Sequence, residues 1–228
     1  MSRAAFQLEI VATNLADAAA AARGGADRLE LCVDLTCGGV SAPSELLGKV
    51  RAAHPRLDLR ALLRPHGGPF HLSADEVLAL AREVRQAREL GLQGIVIGAL
   101  DARGGIDREA MRRLREEARP LEATFHRAFD EIESQDEALE TLIELGFERV
   151  LTSGDQRTAW EGRERLRALV ARAAGRIAIL PGGGVRAAHA AALLAATGAQ
   201  ELHSSARTSD DGVDEREVRA LRAALDAG

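Results

Sequence analysis

Short apolar runs alternate with longer polar segments along the chain. The runs are rich in leucine, isoleucine or valine, as buried strands are, whereas the segments between them are rich in alanine and arginine, as helices are. This alternation predicts eight strands joined by helices. The strands lie near Gln7–Ala12, Arg28–Cys32, Asp58–Arg64, Gly94–Leu100, Ala123–His126, Arg149–Ser153, Ile177–Leu180 and Glu201–Ser205.

The segments between these strands contain recognisable helix start and stop signals. Ser73 and Ser134 are each followed three residues later by a glutamate, which is the spacing of a capping box. Asn14 and Asp107 are suited to cap two more helices. Several helices are expected to end at a glycine, because the backbone there must turn left-handed. These glycines are Gly24, Gly91, Gly146, Gly175 and Gly198.

Four segments align without gaps as a helix-ending glycine, a three-residue connector and a strand. They begin at Gly25, Gly91, Gly146 and Gly198 and open every second strand. This repeat and the count of eight strands predict a single domain over residues 1–228, folded as a (β/α)₈ TIM barrel of the α/β class. An open doubly wound sheet has the same alternation, but no Gly-x-Gly-x-x-Gly follows the first strand.

Alternation of side chains along each strand assigns polar residues to the barrel interior. Leu29 and Leu31 are expected to face the helices, which turns Glu30 inward. The same parity turns Glu9 and His203 inward on the first and eighth strands. Because the eighth, first and second strands are neighbours in a closed barrel, these three polar side chains are expected to lie side by side.

Arg64 ends the third predicted strand and His126 ends the fifth, so both are expected at the C-terminal mouth of the barrel. Several titratable groups at one place are difficult to explain as packing, since buried carboxylates without partners are costly. Each residue taken alone is instead compatible with a satisfied polar side chain. The residues predicted to form a catalytic cluster are Glu9, Glu30, Arg64, His126 and His203.

Consecutive glycines after the seventh strand predict an anion-binding loop. Glycine lets a backbone approach an anion closely, and a helix is expected to begin near Val185 and to point its N-terminus there. Barrels often bind phosphate at the loops after the seventh and eighth strands. A tight turn at a helix start explains the same glycines without a ligand. The residues predicted to bind a ligand are Gly182, Gly183, Gly184, Ser153, Ser204 and Ser205.

Two further pairings are expected at the mouth. Arg64 is suited to a bidentate pair with a carboxylate or phosphate, or to a pair with Glu30 across the mouth. The second of these would shape the mouth without binding a ligand. Asp130 follows His126 closely and is a candidate to orient its ring.

Composition and charge exclude several classes of function. The chain has 30 basic and 35 acidic residues, a formal net charge of -5, and so lacks the basic surplus that would hold nucleic acid. It has no tyrosine, and Lys49 is the only candidate for Schiff-base chemistry. Its apolar stretches are too short for a bilayer. Cys32 and Cys37 do not form a disulfide framework, so we expect a cytoplasmic protein without a membrane or nucleic-acid partner.

The motifs at these positions resemble those of the CutC family, which is named for copper homeostasis. The matching segments are Gly25–Cys32, Gly38–Ser44, Arg64–Phe70, Gly98–Asp101, Thr124–Asp130, Arg149–Gly154, Gly182–Arg186 and Glu201–Ala206. The resemblance implies a cytoplasmic TIM barrel that binds copper and forms a homodimer. Cys32 matches the family cysteine, whereas Cys37 stands where a glutamate is common. Val11 and Ala12 stand where relatives often carry a cysteine.

Copper binding is the function that this resemblance implies. Cu(I) favours thiolate ligands, and the candidates in this chain are Cys32 and Cys37. Cys32 is expected to point inward from the second strand, and Cys37 follows it in a loop. A buried, inert Cys32 is the alternative on residue chemistry alone. The expected partner is therefore a metal ion or a small anionic ligand.

The alternative function is an enzyme that acts on a small anionic or phosphorylated substrate at the mouth. One of the inward glutamates would be the general base, one of the two histidines the acid, and Arg64 with the glycine loop would bind the anion. The same carboxylates and imidazoles suit Mg²⁺, Mn²⁺ or Zn²⁺. An isomerase or lyase fits better than a Schiff-base aldolase, because Lys49 falls in a helix. A purely structural protein fits least well, because the mouth is too polar for a filled core.

Overall fold

The computed structural model describes residues 6–227 and contains every predicted strand. Several strands end earlier than expected, because their last residues turn into the loops at the mouth of the barrel. The eight barrel strands are β1 (Gln7–Ala12), β2 (Arg28–Val33), β3 (Asp58–Leu62), β4 (Gly94–Ile97), β5 (Glu122–Phe125), β6 (Arg149–Thr152), β7 (Ala178–Pro181) and β8 (Glu201–Ser204).

The order of the strands confirms a barrel. Each strand from β1 to β6 pairs in parallel with the next one, and β8 pairs with the free edge of β1. β7 and β8 lie side by side and close the ring, although no hydrogen-bonded ladder joins these two strands. In the ladder between β1 and β8, Glu9 is the direct partner of His203. The predicted TIM-barrel fold is therefore confirmed, and the open sheet is not formed.

Helices cover the outside of this barrel. They are α1 (Leu15–Gly24), α2 (Ser44–Ala53), α3 (Ala74–Glu89), α4 (Arg108–Ala118), α5 (Gln135–Glu144), α6 (Arg163–Ala173), α7 (Ala187–Thr197) and α8 (Glu215–Ala227). A two-residue strand, Val40–Ser41, runs antiparallel to the end of β2. Of the helices within residues 6–227, none is long and apolar enough to cross a membrane.

Most of the predicted capping signals are present, and two are wrong. Ser73 forms the capping box of α3, and Asn14 and Asp107 cap α1 and α4. Ser134 precedes α5 but makes no capping hydrogen bond, because its ψ of 66° departs from the extended backbone of an N-cap residue. Gly24 is the last residue of α1, and the left-handed turn falls on Gly25 instead.

Alternate side chains of the strands face either the helices or the barrel interior, and they form two separate apolar clusters. Leu8, Ile10, Leu29 and Leu31 belong to the main core between the strands and the helices. A second, smaller cluster lies inside the barrel. Its buried members are Val11, Cys32, Leu62 and Val96. The predicted inward and outward faces of β1 and β2 are therefore correct.

Paired charges fill the lower part of the barrel interior, at the N-terminal ends of the strands. Arg28 donates to Glu201 at 2.6 Å, and Glu201 also accepts from Arg149 at 2.9 Å. Arg149 continues to Glu122 at 2.6 Å, and Glu122 lies 2.9 Å from Arg60. We call this chain of alternating charges the basal ion-pair network. It links strands on opposite sides of the barrel. Because these side chains fill the lower end, the open part of the interior lies at the C-terminal ends of the strands.

Candidate functional site

A cavity of about 1060 Å³ opens at the C-terminal ends of the strands. Most of the predicted site residues line it, although not all of them do. Those that line it are Glu30, Cys37, Arg64, His126, Gly183, Gly184, His203, Ser204 and Ser205. Glu9, Cys32, Ser153 and Gly182 are not among its lining residues, and Glu9 and Cys32 are fully buried. The cavity is the place where a ligand can reach the predicted chemistry.

Glu9, Glu30 and His203 form the floor of the site. Each offers one donor atom, and the three atoms lie within 4.8 Å of one another. His203 shares a hydrogen through Nδ1 with Glu9 Oε1 at 2.7 Å. The grouping follows from local geometry, because the three residues have the same parity on neighbouring strands. His126 does not belong to this group, contrary to the predicted four-residue donor set.

Glu9 is a buried carboxylate held in its charged form. Arg28 donates to its second oxygen, and His203 holds the first. Burial alone would raise the pKa of Glu9, but the charge of Arg28 and the hydrogen bond with His203 outweigh burial and keep the pKa well below its usual range. Because both oxygens are occupied and no water reaches it, Glu9 orients His203 and does not meet a ligand directly.

Glu30 has the opposite character. Its carboxyl is 6% exposed, and Oε2 has no hydrogen-bond partner in the described part of the chain. Burial raises the pKa of Glu30 to about 7, although the charge of His203 opposes the rise. The pKa of His203 is also raised, because its hydrogen bond with Glu9 and the charge of Glu30 outweigh burial. Glu30 and His203 have donor atoms within 4.8 Å of each other, so the two groups are placed for acid–base chemistry at one site.

A cation is a poor fit to this floor. The oxygen and nitrogen donors of Glu9, Glu30 and His203 suit a hard divalent cation better than Cu(I). Arg28, however, donates to Glu9 and brings a full positive charge against the same carboxylate. A metal ion that used Glu9 as a ligand would compete with Arg28 and His203 for its oxygens and would lie next to that guanidinium. The arrangement fits a shared proton better than a bound cation.

His126 lies on another wall of the cavity, directly after β5. Its Nδ1 accepts the amide N–H of Ala128 at 3.2 Å. Burial, with the charge of Arg64, lowers the pKa of His126 to about 3, so this imidazole is neutral and does not fit the role of a charged acid. Asp130 was expected to orient the ring, but it accepts hydrogen bonds from Thr152 and Ser153 instead.

Arg64 braces the loops around the mouth. Its terminal nitrogens donate to the carbonyl oxygens of Cys37, Gly39 and Gly68 at 2.8 to 3.0 Å. Its guanidinium also stacks over Phe70, 4.7 Å from the ring centroid. The expected pair with Glu30 is not formed, and the hydrogen bonds of both terminal nitrogens go to these carbonyls instead. Arg64 therefore shapes the cavity by tying the loops after β2 and β3 together.

The glycine loop after β7 has the open backbone that the sequence predicts. Gly183 and Gly184 have φ values of +100° and +68° and line the cavity, and their amides donate no backbone hydrogen bond in the described chain. Gly182 is different, because its amide continues the strand by donating to Thr152 O at 3.0 Å. Two residues of this loop are thus available to an anion.

The predicted serines differ in their availability. Ser153 donates through Oγ to Gln156 O at 2.5 Å and accepts from Arg127, so its hydroxyl is occupied. Ser204 donates to Val185 O at 2.8 Å. Its hydroxyl hydrogen is therefore used by the segment that leads into α7 and is not available to a ligand. Ser205 follows β8 and lines the cavity beside the glycine loop.

Two arginines that matter to the site were missed from the sequence. Arg28 neutralises the buried Glu9, and it has the same strand parity as Glu30, which was an available signal. Arg127 lines the cavity, and its Nη1 faces Gly183, where a Cβ would lie 3.4 Å from it. It directly follows His126 at the end of a predicted strand. Arg127, which also pairs through Nε with Asp130 at 2.8 Å, places a guanidinium next to the glycine loop, where Arg64 was expected.

The two cysteines approach the site from the β2 side. Cys32 is fully buried, and burial raises the pKa of its thiol far above the usual range, with a further rise from the charge of Glu30. Cys37 donates to Asp34 O at 3.2 Å and lines the cavity. Both thiols are free. Within residues 6–227, neither belongs to a group of three or more metal-ligating side chains.

Comparison with known proteins agrees with this architecture. The sequence model of the CutC family matches residues 6–208. A CutC family protein of Histophilus somni is 45% identical over 180 residues, which is 79% of this chain and 74% of that protein. A human relative, named copper homeostasis protein cutC homolog, is 42% identical over 180 residues, 79% of this chain and 66% of its own length.

A crystal structure of a CutC protein from Streptococcus agalactiae superposes with a TM-score of 0.84 at 30% sequence identity, covering 88% of this chain and 98% of that one. The match of the family sequence model, the two relatives and this structure agree over most of the barrel. The segments quoted from the sequence, from the second strand to the eighth, fall inside the matched range. On these grounds the chain belongs to the CutC family.

Proposed function

We propose that this protein is an acid–base enzyme, an isomerase or lyase, that binds a small anionic substrate at the C-terminal mouth of its barrel. The observation that carries the proposal is the Glu30 carboxyl, which is buried, has an unpartnered oxygen within the described chain and lines the cavity beside His203. Leaving a buried carboxyl oxygen without a partner is costly, and a bound substrate would remove that cost.

Proton transfer is the chemistry that this floor supports. Glu30 titrates near neutral pH, so it can both accept and return a proton at the pH of a cell. His203 is held by Glu9 through Nδ1, which directs its other ring nitrogen away from Glu9. Glu9 stays charged beneath it and stabilises a protonated His203. In this arrangement Glu30 is the base, His203 is the acid, and Glu9 is a positioning residue.

The glycine loop supports the anionic part of the proposal. Gly183 and Gly184 line the cavity, their amides donate no backbone hydrogen bond in the described chain, and a guanidinium nitrogen of Arg127 lies beside Gly183. Amides and an arginine at the end of β7 suit a phosphate or carboxylate group. A Schiff-base route does not fit, because Lys49 lies on α2, 56% exposed, and pairs with Glu45 at 2.6 Å.

Hydrogen exchange tests this proposal. The protein is incubated in D₂O with a panel of phosphorylated and carboxylated sugars, hydroxy acids and keto acids, and deuterium incorporation is followed by NMR. We expect exchange with the wild type and a loss of 10²- to 10⁴-fold with Glu30→Gln. Lys49→Met is the control and should match the wild type. Exchange that survives Glu30→Gln, or no exchange with any compound, would count against the proposal.

Copper(I) binding by Cys32 and Cys37 is the second candidate function. The family relationship supports it, and both thiols are free on the β2 side of the mouth. Thiolates suit Cu(I), and the protonated Cys32 would have to lose its proton on binding. An anaerobic titration against a competing Cu(I) chelator tests this. Tight binding that is lost in both Cys32→Ser and Cys37→Ser supports it, and no competitive binding contradicts it.

We also propose that the protein is cytoplasmic and forms a homodimer, as the family relationship implies. Two free thiols suit a reducing compartment, where they stay reduced. Light scattering coupled to gel filtration measures the mass directly. A mass of twice 24.3 kDa supports the dimer, and a monomer at micromolar concentration contradicts it.

A further inference from the structure

The His126 ring has one occupied nitrogen and one free nitrogen. The Ala128 amide donates to Nδ1, and because a backbone amide is only a donor, Nδ1 must carry a lone pair. The ring hydrogen of the neutral imidazole is therefore on Nε2. Nε2 is buried and has no hydrogen-bond partner anywhere in residues 6–227. His126 is 5% exposed and lines the cavity, so it holds one unused N–H donor there.

Packing holds the ring in this orientation. The Phe70 and Phe125 ring centroids lie 4.9 and 5.8 Å from that of His126. Gly98 at the end of β4 leaves the space that the imidazole fills, because a Cβ there would overlap the ring. Since the pKa of His126 is about 3, the ring stays neutral at physiological pH. It is a fixed neutral donor, which is suited to an oxygen that gains negative charge during a reaction.

Glu30 faces the same cavity from a different wall. It extends from β2, three strands away from β5 in the ring, and the cavity of about 1060 Å³ is lined by both Glu30 and His126. Both residues are more than nine-tenths buried, and each has one atom without a partner. A ligand that satisfies both must present a removable hydrogen to Glu30 and an acceptor oxygen to His126. A carbonyl group with a neighbouring C–H bond meets both requirements.

We infer that the substrate is a small anionic carbonyl compound and that His126 donates its Nε2–H to the carbonyl oxygen. The inference rests on the proposed proton transfer by Glu30. The Glu30 carboxylate takes the hydrogen on the carbon next to the carbonyl as a proton. The electron pair of that C–H bond forms a C=C bond, and the carbonyl π pair moves to the oxygen, which His126 holds as an enolate. Glu30 returns a proton to that carbon, and hydrogen exchanges with solvent.

Two phosphorylated probes test the hydrogen bond from His126. Phosphoglycolohydroxamate has a phosphate and an enolate-like oxygen, whereas glycerol 3-phosphate has the phosphate alone. We expect calorimetry to show that the wild type binds the hydroxamate at least about tenfold more tightly than the glycerol phosphate. His126→Phe keeps an aromatic ring among its aromatic neighbours but lacks the N–H. It should lose the hydroxamate preference and keep the affinity for glycerol 3-phosphate, and His126→Gln should recover part of the preference.

The outcomes separate this inference from the proposed function. Equal binding of the two probes by the wild type, or an unchanged preference in His126→Phe, overturns the role of His126. Failure of glycerol 3-phosphate to bind overturns the anion site, and exchange that survives Glu30→Gln overturns the base. Nitrogen NMR of the wild-type histidines provides a readout that needs no ligand. A His126 resonance with hydrogen on Nδ1 between pH 6 and 8 would also overturn the inference.

Discussion

The two ends of the barrel interior differ in how their charges are satisfied. In the lower end, the basal ion-pair network joins Arg28, Glu201, Arg149, Glu122 and Arg60 across the ring, and each carboxylate contacts a guanidinium. In the upper end, Glu30 Oε2 and His126 Nε2 are buried without partners in the described chain. Both ends are polar, but every carboxylate of the lower network is paired with a guanidinium of the protein, whereas the Glu30 carboxylate at the upper end is not.

This difference separates polar residues that maintain the fold from those that await a ligand. Buried charges are tolerated where an opposite charge repays part of their desolvation. The lower end meets that condition within the protein. The upper end leaves Glu30 Oε2, His126 Nε2 and Arg64 Nε without partners in the described chain, on residues that line a cavity of about 1060 Å³, which is the property expected of a binding site. Glu9 lies between the ends, paired below with Arg28 and above with His203.

Breaking the lower end should have the largest effect on stability. Arg28→Met removes the only guanidinium that contacts the buried Glu9, leaving it His203 alone, and one of the two that contact Glu201. We expect the free energy of unfolding to fall by about 3 to 5 kcal/mol, measured by urea denaturation at pH 7. Arg167→Ala is the matched control, because Arg167 pairs with Glu164 on the exposed face of α6. The free energy of unfolding of Arg167→Ala should stay near that of the wild type. If Arg167→Ala lost as much stability as Arg28→Met, the buried ion pairs would matter no more than an exposed one.

Removing the unpaired carboxyl at the upper end should stabilise the protein above neutral pH. The folded pKa of Glu30, about 7, exceeds its ordinary value of 4.5, so the folded state holds that proton more tightly than the unfolded state. Its contribution to stability is therefore complete below pH 4.5 and is lost as the pH rises through 7. Glu30→Gln lacks this loss. We expect it to be more stable than the wild type by about 1 to 3 kcal/mol at pH 8, and nearly equal to it at pH 4.5.

Denaturation curves at several pH values measure this difference. Glu83→Gln is a useful comparison, since Glu83 contacts Ser41 at 2.6 Å outside the barrel interior. If the free energies of unfolding of Glu30→Gln and the wild type differed by the same amount at every pH, ionisation of the Glu30 carboxyl would not destabilise the fold.

Filling the space beside His126 should have the smallest effect of the three. Gly98→Ala places a methyl group where the imidazole ring lies, so the ring must move. We expect a loss of about 1 to 2 kcal/mol, seen as a lower melting temperature, with the ion pairs of the lower end intact. Gly104→Ala is not a fair control because φ there is +78°, whereas Gly48→Ala meets only Leu90 at 3.5 Å. An unchanged melting temperature would mean that the ring is not held by Gly98.

Much of the fold and the floor of the site could be predicted because the relevant rules are local. Side chains alternate along a strand, so Glu9, Glu30 and His203 could be assigned inward from their neighbours alone. Their proximity then followed from the order of strands in a closed barrel. The same reasoning assigned Leu29 and Leu31 to the helix side. The order of residues along the chain was sufficient here, because side-chain alternation and strand order do not depend on the hydrogen-bond partners of each side chain.

The hydrogen-bond partners could not be predicted, because they depend on distances between residues far apart in the chain. Arg64 was expected to pair with Glu30, yet nearby carbonyls take its donors. Asp130 was expected to orient His126, yet it holds Thr152 and Ser153 after the next strand. These choices arise only when neighbouring loops are in place and compete for the same donors.

The alternation of apolar and polar residues was thus enough to predict the barrel and the inward residues, since both follow from backbone geometry repeated along the chain. The charge states and free atoms came from packing in three dimensions. Arg28 and His203 keep Glu9 charged despite its burial, burial raises the pKa of Glu30 to about 7, and the Ala128 amide puts the hydrogen of His126 on Nε2. Desolvation and partner geometry set these properties, and both exist only in the folded chain.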